Sequence, residues 1–168
     1  MIFKEIQKFK QPWVWVLLIG TGLITIGVFG FGIYRQIFQG IKFGNHPMND
    51  RGLIIGFCLV LLLNISLFLL FGLSKLTTVI DKIGIEYRFF PFHSSPRLIY
   101  WDMIEKYMVI KYDPLKDYGG WGIKYSKHVK AYTLSGDKGL LLYLKSGKRI
   151  LIGTQKDLEL MNFLSKIK

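Results

Sequence analysis

The side chains that could perform acid–base or metal chemistry in this chain are few and scattered. Histidine occurs at three positions: His46, His93 and His128. No H-E-x-x-H, paired-cysteine or G-x-S-x-G pattern accompanies them. Two pairs of carboxylates are close in sequence: Asp102 with Glu105, and Asp113 with Asp117. Because solvated surface acids explain such pairs more simply, the sequence predicts no enzyme and no metal or cofactor.

The segment with the most distinctive composition covers residues 117–122. Three glycines lie beside two aromatic side chains, which permits unusual backbone angles and close approach of a partner chain. Basic and aromatic residues follow, and together these residues form a candidate interaction loop: Tyr118, Gly119, Gly120, Trp121, Gly122, Lys124, Lys127 and Lys130. Such a loop could recognise a peptide, a lipid headgroup or another subunit. The alternative is a flexible hairpin with a solvated basic strand.

Two uncharged apolar runs, residues 13–34 and 53–73, dominate the first half of the chain. At about 1.5 Å of rise per helical residue, each run reaches roughly 30 Å, the thickness of a bilayer's hydrocarbon core. A backbone in lipid must satisfy its own hydrogen bonds, so the two runs predict a helical hairpin. A cleaved signal peptide is the rival interpretation of the first run. That run is longer than a typical signal core and lacks a small-residue cleavage site.

Small and polar residues within the runs indicate how the helices pack. Gly20, Gly27 and Gly30 lie near one stripe of the first helix and permit close approach of the second helix or of another subunit. Asn64 lies near the middle of the second run, where an amide commonly bonds to a neighbouring helix but could also mark a conduction path. Neither run contains an Asp, Glu, His, Lys or Arg side chain, so a transporter is weakly supported. Two helices form a channel only as an oligomer.

Basic residues near the ends of the runs predict the orientation. Three precede the first run and three follow the second, against three in the connecting segment, residues 35–52. This asymmetry favours both termini in the cytoplasm, with the chain in the inner membrane. Ile2, Phe3, Ile6 and Phe9 recur at helical spacing between lysines, which predicts an interfacial amphipathic helix; a disordered basic tip is the alternative.

After Ser74 the pattern changes to short strand-like runs separated by turn residues. Eight runs cover residues 77–80, 85–90, 97–101, 107–112, 121–125, 130–134, 140–144 and 149–152. Turns rich in Gly, Asp, Ser and Pro predict that these strands pair as an antiparallel meander. A helix follows with Thr154 as its predicted N-cap. Its apolar stripe consists of Leu160, Met161, Leu164 and Ile167. From about Lys75 the chain is long enough to fold alone.

This order of strands followed by one amphipathic helix resembles the pleckstrin-homology-like barrel. Residues 81–88, 97–104 and 149–156 resemble bacterial pleckstrin-homology-like domains that lie beside transmembrane hairpins. The whole layout resembles small two-helix membrane proteins of bacteria, notably Bacteroidetes. The resemblance implies an α+β domain, an antiparallel barrel or sandwich capped by the C-terminal helix. It implies no ligand, because the long basic loop that holds phosphoinositides in eukaryotic domains is here a tight turn with only Lys82.

The predicted organisation is therefore an interfacial segment and hairpin in residues 1–76, with helices at about 13–34 and 53–74, and a cytoplasmic pleckstrin-homology-like domain in residues 77–168. That domain contains sixteen Lys and Arg against nine Asp and Glu, and a basic domain beside a membrane is attracted to anionic headgroups. Nucleic acid is not expected as a partner, because the membrane accounts for the excess charge.

The predicted function is a non-enzymatic, membrane-anchored module for protein assembly or membrane-surface interaction. Its expected partner is the lipid bilayer, with anionic headgroups as candidate ligands of the domain, together with either a partner protein or further copies of the chain. The alternative is a small oligomeric pore or an accessory subunit of a transporter.

Overall fold

The computed structural model describes residues 1–126 and 128–167 of the chain. These residues form an α+β structure with two compact units. One unit, called the domain below, combines Met1–Lys10 with Gly72–Lys168. The other, called the hairpin, is Gln11–Phe71.

The described residues form nine strands and four α-helices. The strands are β1 (Phe3–Lys8), β2 (Lys75–Ile80), β3 (Gly84–Phe90), β4 (Arg97–Tyr100), β5 (Ile104–Lys111), β6 (Gly122–Ser126), β7 (Val129–Thr133), β8 (Lys138–Leu144) and β9 (Arg149–Thr154). The helices are α1 (Pro12–Ile33), α2 (Asp50–Leu73), α3 (Pro114–Tyr118) and α4 (Asp157–Ile167). A π-helical turn, Tyr34–Phe38, continues α1, and a 3-10 turn, Trp101–Met103, precedes β5. Each of the eight predicted strand runs coincides in large part with one of β2 to β9.

The strands form two sheets, with orders β1-β2-β3-β4 and β5-β8-β9-β7-β6. The first sheet is antiparallel throughout, whereas the second contains one parallel pair, β7 with β9. The predicted antiparallel meander is therefore wrong in the second sheet, where the β8–β9 hairpin lies between β5 and β7. No strand pairing joins the two sheets among the described residues, so the predicted barrel is not closed.

The first residues form a strand, and the predicted interfacial helix is wrong. β1 runs antiparallel to β2 in continuous register from Phe3 opposite Ile80 to Lys8 opposite Lys75. Since β1 precedes α1 and β2 follows α2, both ends of the hairpin lead into the same sheet. The domain therefore begins before the hairpin and not at residue 77.

The side chains of β1 alternate between the interior and the surface. Phe3, Glu5 and Gln7 are buried, while Ile6 is 55% exposed. This period of two is that of a strand with one face on the core. Two of the three inward positions are polar, and this is why the sequence does not show the alternation.

The main core lies between the inner faces of the two sheets and α4. Its fully buried members include Leu76, Ile85, Tyr132, Leu142 and Ile152. From the predicted stripe of α4, Leu160 and Leu164 are buried and Ile167 packs against the core, whereas Met161 is 42% exposed. The predicted N-cap is displaced: Thr154 is the last residue of β9, and α4 begins at Asp157.

The two helices of the hairpin expose most of their apolar side chains. Pro12–Phe38 and Asp50–Leu73 are long and apolar enough to cross a membrane, and only 11% and 6% of their most apolar windows are buried. Aromatic pairs join the helices: Trp15 with Phe68, and Phe29 with Phe57.

Candidate functional site

The candidate loop begins with the short helix α3, which is capped by Asp113 at its N-terminus and by Gly119 at its C-terminus. The Asp113 carboxylate accepts hydrogen bonds from the backbone N–H groups of Leu115 (3.0 Å) and Lys116 (3.1 Å). These donors hold the pKa of Asp113 below its usual value. Asp117 accepts a bond from the Asp113 N–H at 2.8 Å, and Gly119 ends the turn in the left-handed conformation at φ 67°. The acid pair Asp113 and Asp117 therefore shapes the loop.

Two further glycines of the loop adopt backbone angles that favour glycine. Gly120 has φ 116° and Gly122 has φ 120°, a region that residues with a side chain rarely adopt. The space where a Cβ of Gly120 would lie is open, and the nearest atom to one at Gly122 is 4.0 Å away. Within the chain these glycines therefore serve the turn of the backbone and not a close contact.

The two aromatic side chains of the loop are half-buried and have partners within the domain. Trp121 Nε1 donates to the carbonyl oxygen of Gly136 at 2.9 Å, which ties the loop to the β7–β8 turn. Tyr118 meets the Tyr112 ring edge-on, with 5.8 Å between centroids. Burial raises the pKa of Tyr112 to about 12 and also raises that of Tyr118. Truncating Trp121 would remove the hydrogen bond that ties the loop to the β7–β8 turn and would alter the loop itself. A loss of partner binding in that variant would therefore not identify Trp121 as a contact residue.

Strands β6 and β7 carry the aromatic and basic residues that follow the loop. Together with the loop they form what is called the candidate surface, which in the described residues is Tyr118 to Gly122, Lys124, Tyr125 and Lys130. Tyr125 is 74% exposed and lies opposite Lys130 in the strand register. Lys130 Nζ lies 4.6 Å from the Tyr125 ring centroid and 5.4 Å from that of Tyr132, so aromatic faces position the ammonium group. Lys124 lies on the same strand as Tyr125, opposite Ala131. Lys127 lies outside the described residues.

The parallel pairing of β7 with β9 adds two cations that sequence reasoning missed. Arg149 lies opposite Val129 in the register, and Lys148 directly precedes it. Both residues border the same depression as Lys130. The register places the Arg149 side chain with Val129 on one face of the sheet and that of Lys130 with Ile150 on the other. Nothing in a local pattern indicates a contact between residues twenty positions apart, although the Lys148-Arg149 pair after a turn glycine was visible as a basic cluster.

A second group missed by sequence reasoning lies inside the domain between β3, β4 and β7. The Tyr132 ring lies 4.8 Å from that of Tyr87 and 5.3 Å from that of His93, and Arg97 Nη1 lies 3.4 Å from the Tyr132 hydroxyl. His93 Nδ1 accepts the Phe89 N–H at 3.2 Å. Burial, followed by Arg97 and Lys130, lowers the pKa of His93, which favours a neutral imidazole with a structural role.

In the hairpin, Asn64 and the glycine stripe occupy different surroundings. Thr21 Oγ1 lies 2.9 Å from the Leu17 carbonyl oxygen on its own helix and 3.3 Å from Asn64 Oδ1, and Asn64 Nδ2 donates to the Val60 carbonyl oxygen at 3.0 Å. The small residue next to this amide is Gly22, whose Cβ position is 3.8 Å from Asn64 Oδ1. The Cβ positions of the predicted stripe meet nothing within 4 Å: Gly20, Gly27 and Gly30. Contact of that stripe with another subunit stays a prediction.

No group of three or more His, Cys, Asp or Glu side chains that could hold a metal ion occurs in residues 1–126 and 128–167. Comparison with protein-family models finds no match to the chain. Comparison with curated proteins likewise finds no significant relative.

Proposed function

We propose that the chain is a membrane-anchored, non-enzymatic module that holds its domain at the cytoplasmic face for protein assembly or membrane-surface interaction. The observation that carries the proposal is the position of the hairpin between two paired strands. β1 and β2 are neighbours in one sheet, and the chain between them contains two helices long enough to cross a membrane. Two spans would return the chain to the side from which it left.

The exposed apolar surface of the hairpin supports the proposal that lipid surrounds its helices. A core helix of a soluble protein is mostly buried, whereas these helices bury little beyond Val14, Leu18 and Leu53. Apolar side chains such as Ile24 and Leu62 are more than 60% exposed. An uncharged apolar surface of this extent is unfavourable in water and matches a bilayer's hydrocarbon.

The pleckstrin-homology-like assignment of the domain is part of the proposal. It is supported by two packed sheets with an amphipathic C-terminal helix on their shared core. The parallel β7–β9 pair and the added strand β1 depart from the simple meander. The assignment therefore concerns the general architecture and carries no ligand with it.

We expect topology labelling to place both strands of the β1–β2 pair on the cytoplasmic side. In a Cys58→Ser background, an impermeant maleimide should label Asn45→Cys in intact cells. Lys4→Cys and Ser146→Cys should react only after permeabilisation, because β1 and the β8–β9 turn belong to one domain and the basic residues favour a cytoplasmic domain. All three positions are exposed.

The two domain positions serve as controls for each other. If both reacted in intact cells, the proposed orientation would be reversed. If Lys4→Cys and Ser146→Cys reacted on opposite sides, the pairing of β1 with β2 would not exist in the membrane.

Photo-crosslinking separates an assembly module from a pore. Benzoylphenylalanine at Tyr125 of the full-length chain should give an adduct of discrete mass in native membranes, because Tyr125 is the exposed aromatic of the candidate surface. The matched control is benzoylphenylalanine at Lys106, an exposed position on β5, at the opposite edge of the same sheet. An adduct with the mass of two chains would identify a homo-oligomer.

The reconstituted chain should carry no ion flux across liposomes. Flux that disappears in Asn64→Leu, together with no adduct at position 125, would favour the oligomeric pore. Asn64 Oδ1 lies 3.3 Å from Thr21 Oγ1 on the facing helix, which favours helix packing as its role.

A further inference from the structure

The outer face of the first sheet carries a row of cations at the end of the strands that leads into the hairpin. Lys8 on β1 lies opposite Lys75 on β2, and Lys75 lies opposite Phe90 on β3. Directly opposed residues of paired strands share one face of a sheet. The adjacent positions Gln7 and Leu76 are buried, so the row itself points away from the core.

Arg88 belongs to the same face as this row. It lies two residues before Phe90 on β3, and residues two apart on a strand share a face. The contacts agree, because Lys75 Nζ lies 5.4 Å and the Arg88 guanidinium carbon 5.8 Å from the Phe90 ring centroid. An aromatic ring orients a cation without cancelling its charge. These residues are called the basic face below: Lys8, Lys75, Arg88 and Phe90.

The charge of the basic face is not neutralised within the described part of the chain. Its ion pairs involve other lysines: Lys111, Lys116, Lys138 and Lys156. Arg88 Nε donates to the His93 carbonyl oxygen at 3.2 Å, which is a neutral acceptor. Of the outward positions on the four strands, Glu86 alone carries a carboxylate, against four cations: Lys4, Lys8, Lys75 and Arg88. A surface with this excess of positive charge attracts an anionic one.

The basic face is close in sequence to both ends of the hairpin. Lys75 is two residues after Leu73, which ends α2, and Lys8 is four residues before Pro12, which begins α1. At about 3.3–3.6 Å per extended residue, two residues reach about 7 Å. The headgroup layer on each side of a bilayer's hydrocarbon is about 5–8 Å thick. With both helices across a bilayer, Lys75 therefore lies at or beside headgroup depth, and the strand pairing keeps the rest of the face near it.

Exposed apolar side chains accompany these cations. Phe92 lies in the turn after β3, two residues beyond Phe90, and is 60% exposed. Its ring lies 5.8 Å from that of the buried Phe89, so it is attached to the core. Ile6, at an outward position of β1, is 55% exposed. Aromatic rings favour the boundary between headgroups and hydrocarbon, and lysine and arginine are attracted to anionic headgroups. Together these side chains fit a phospholipid surface.

We propose that the basic face docks the domain onto anionic phospholipid headgroups of the leaflet beside which the hairpin leaves the domain, with Phe92 at the interface. The inference rests on the proposed function, because it requires the hairpin to span the bilayer. It names the surface and the lipid charge by which the domain is held. Since the hairpin already tethers the domain, docking is an intramolecular step and needs only a modest attraction. The domain is then docked over an anionic leaflet and released over a neutral one.

Fluorescence of the full-length chain in nanodiscs tests the docking. In a Cys58→Ser background, an environment-sensitive dye is attached at Ser94→Cys, an exposed position in the turn that contains Phe92. The discs contain phosphatidylcholine alone or with three-tenths phosphatidylglycerol. We expect a blue shift of the emission, and quenching by lipids that are spin-labelled near the headgroup, in the anionic discs. The same dye at Ser146→Cys, on the β8–β9 turn, should report water in both kinds of disc.

Charge variants identify the basic face as the docking surface. Lys8→Gln with Lys75→Gln should lower the ratio of docked to released domain by about tenfold or more, since one cation near an anionic leaflet contributes about fivefold. Lys8→Arg with Lys75→Arg keeps the charge and should keep the docking. The matched control, Lys106→Gln with Lys148→Gln, removes the same charge from exposed positions on β5 and the β8–β9 turn. It should change the ratio by no more than about twofold.

The outcomes separate this inference from the proposed function. Co-elution of the chain with the discs is measured first, and a chain that stays outside them would overturn the membrane anchor and the docking together. For a chain inside the discs, equal dye spectra in neutral and anionic lipid would overturn the docking alone. Equal losses in the two glutamine variants would do the same. Circular dichroism of each variant confirms that it is folded.

Discussion

Replacing residues 10–73 with Asn-Gly is expected to give a water-soluble domain that unfolds cooperatively, whereas residues 75–168 alone are expected not to fold. β1 and β2 are antiparallel neighbours, and Asn-Gly is a preferred two-residue connection between such strands. The replacement keeps Phe9, which packs on the core, and the buried Ser74. Circular dichroism and urea unfolding of both proteins provide the measurement.

The expected effect is large because β1 supplies part of the core. Phe3 is 3% exposed and its ring lies 5.8 Å from that of Phe163 on α4. Losing one buried Phe side chain costs about 3–5 kcal/mol, and a small domain has only about 5–15 kcal/mol of stability in total. Without β1, the edge of β2 also loses its hydrogen-bonded partner. Equal stability of the two proteins would show that β1 contributes nothing.

This expectation replaces the one drawn from the sequence, in which the chain from about Lys75 onward folds alone. The strands after the hairpin were visible in the sequence, but the strand before it was not. The boundary of the folding unit therefore depends on a pairing across more than sixty residues, which local patterns do not reveal.

Glu5→Ala is expected to destabilise the domain by about 2–4 kcal/mol. The buried Glu5 carboxylate accepts a bond from Thr154 Oγ1 at 2.6 Å and one from the Gln155 N–H at 2.7 Å. Alanine leaves these donors without their acceptor in a buried seam between β1 and the end of β9. Beside them, Gln7 Nε2 donates to the Gly153 carbonyl oxygen, so the variant removes one part of a network that joins the first strand to the last.

Lys4→Ala is the matched control, because Lys4 is the neighbouring residue on the exposed face of β1. It should change the free energy of unfolding by less than about 0.5 kcal/mol. Urea unfolding of the Asn-Gly protein carrying each substitution compares the two. If the Glu5→Ala protein were as stable as the Lys4→Ala protein, the hydrogen bonds of Glu5 would not contribute to the stability of the domain.

The candidate surface shows the same division between local and distant information. Its composition correctly indicated a glycine-dependent turn, because Gly119, Gly120 and Gly122 have positive φ angles. The free energy of a backbone angle depends mainly on the residue that adopts it, so the glycines alone indicate where positive φ angles can occur. The roles of Tyr118 and Trp121 depend on Tyr112 and Gly136, which only the packed domain brings near them.

The sequence by itself determined the eight strands after the hairpin, the two long apolar helices and the amphipathic C-terminal helix, but not the short helix α3. Each of these follows from hydrophobic periodicity and turn chemistry within a few residues. Only the tertiary structure decided that residues 3–8 are a strand, since their inward-facing Glu5 and Gln7 are stabilised by β9, more than 140 residues away. It also decided the parallel pairing of β7 with β9, which places Arg149 opposite Val129, twenty positions earlier in the chain. Both outcomes depend on hydrogen bonds between segments that are distant in sequence. The composition of either segment alone does not reveal which distant segment it bonds to.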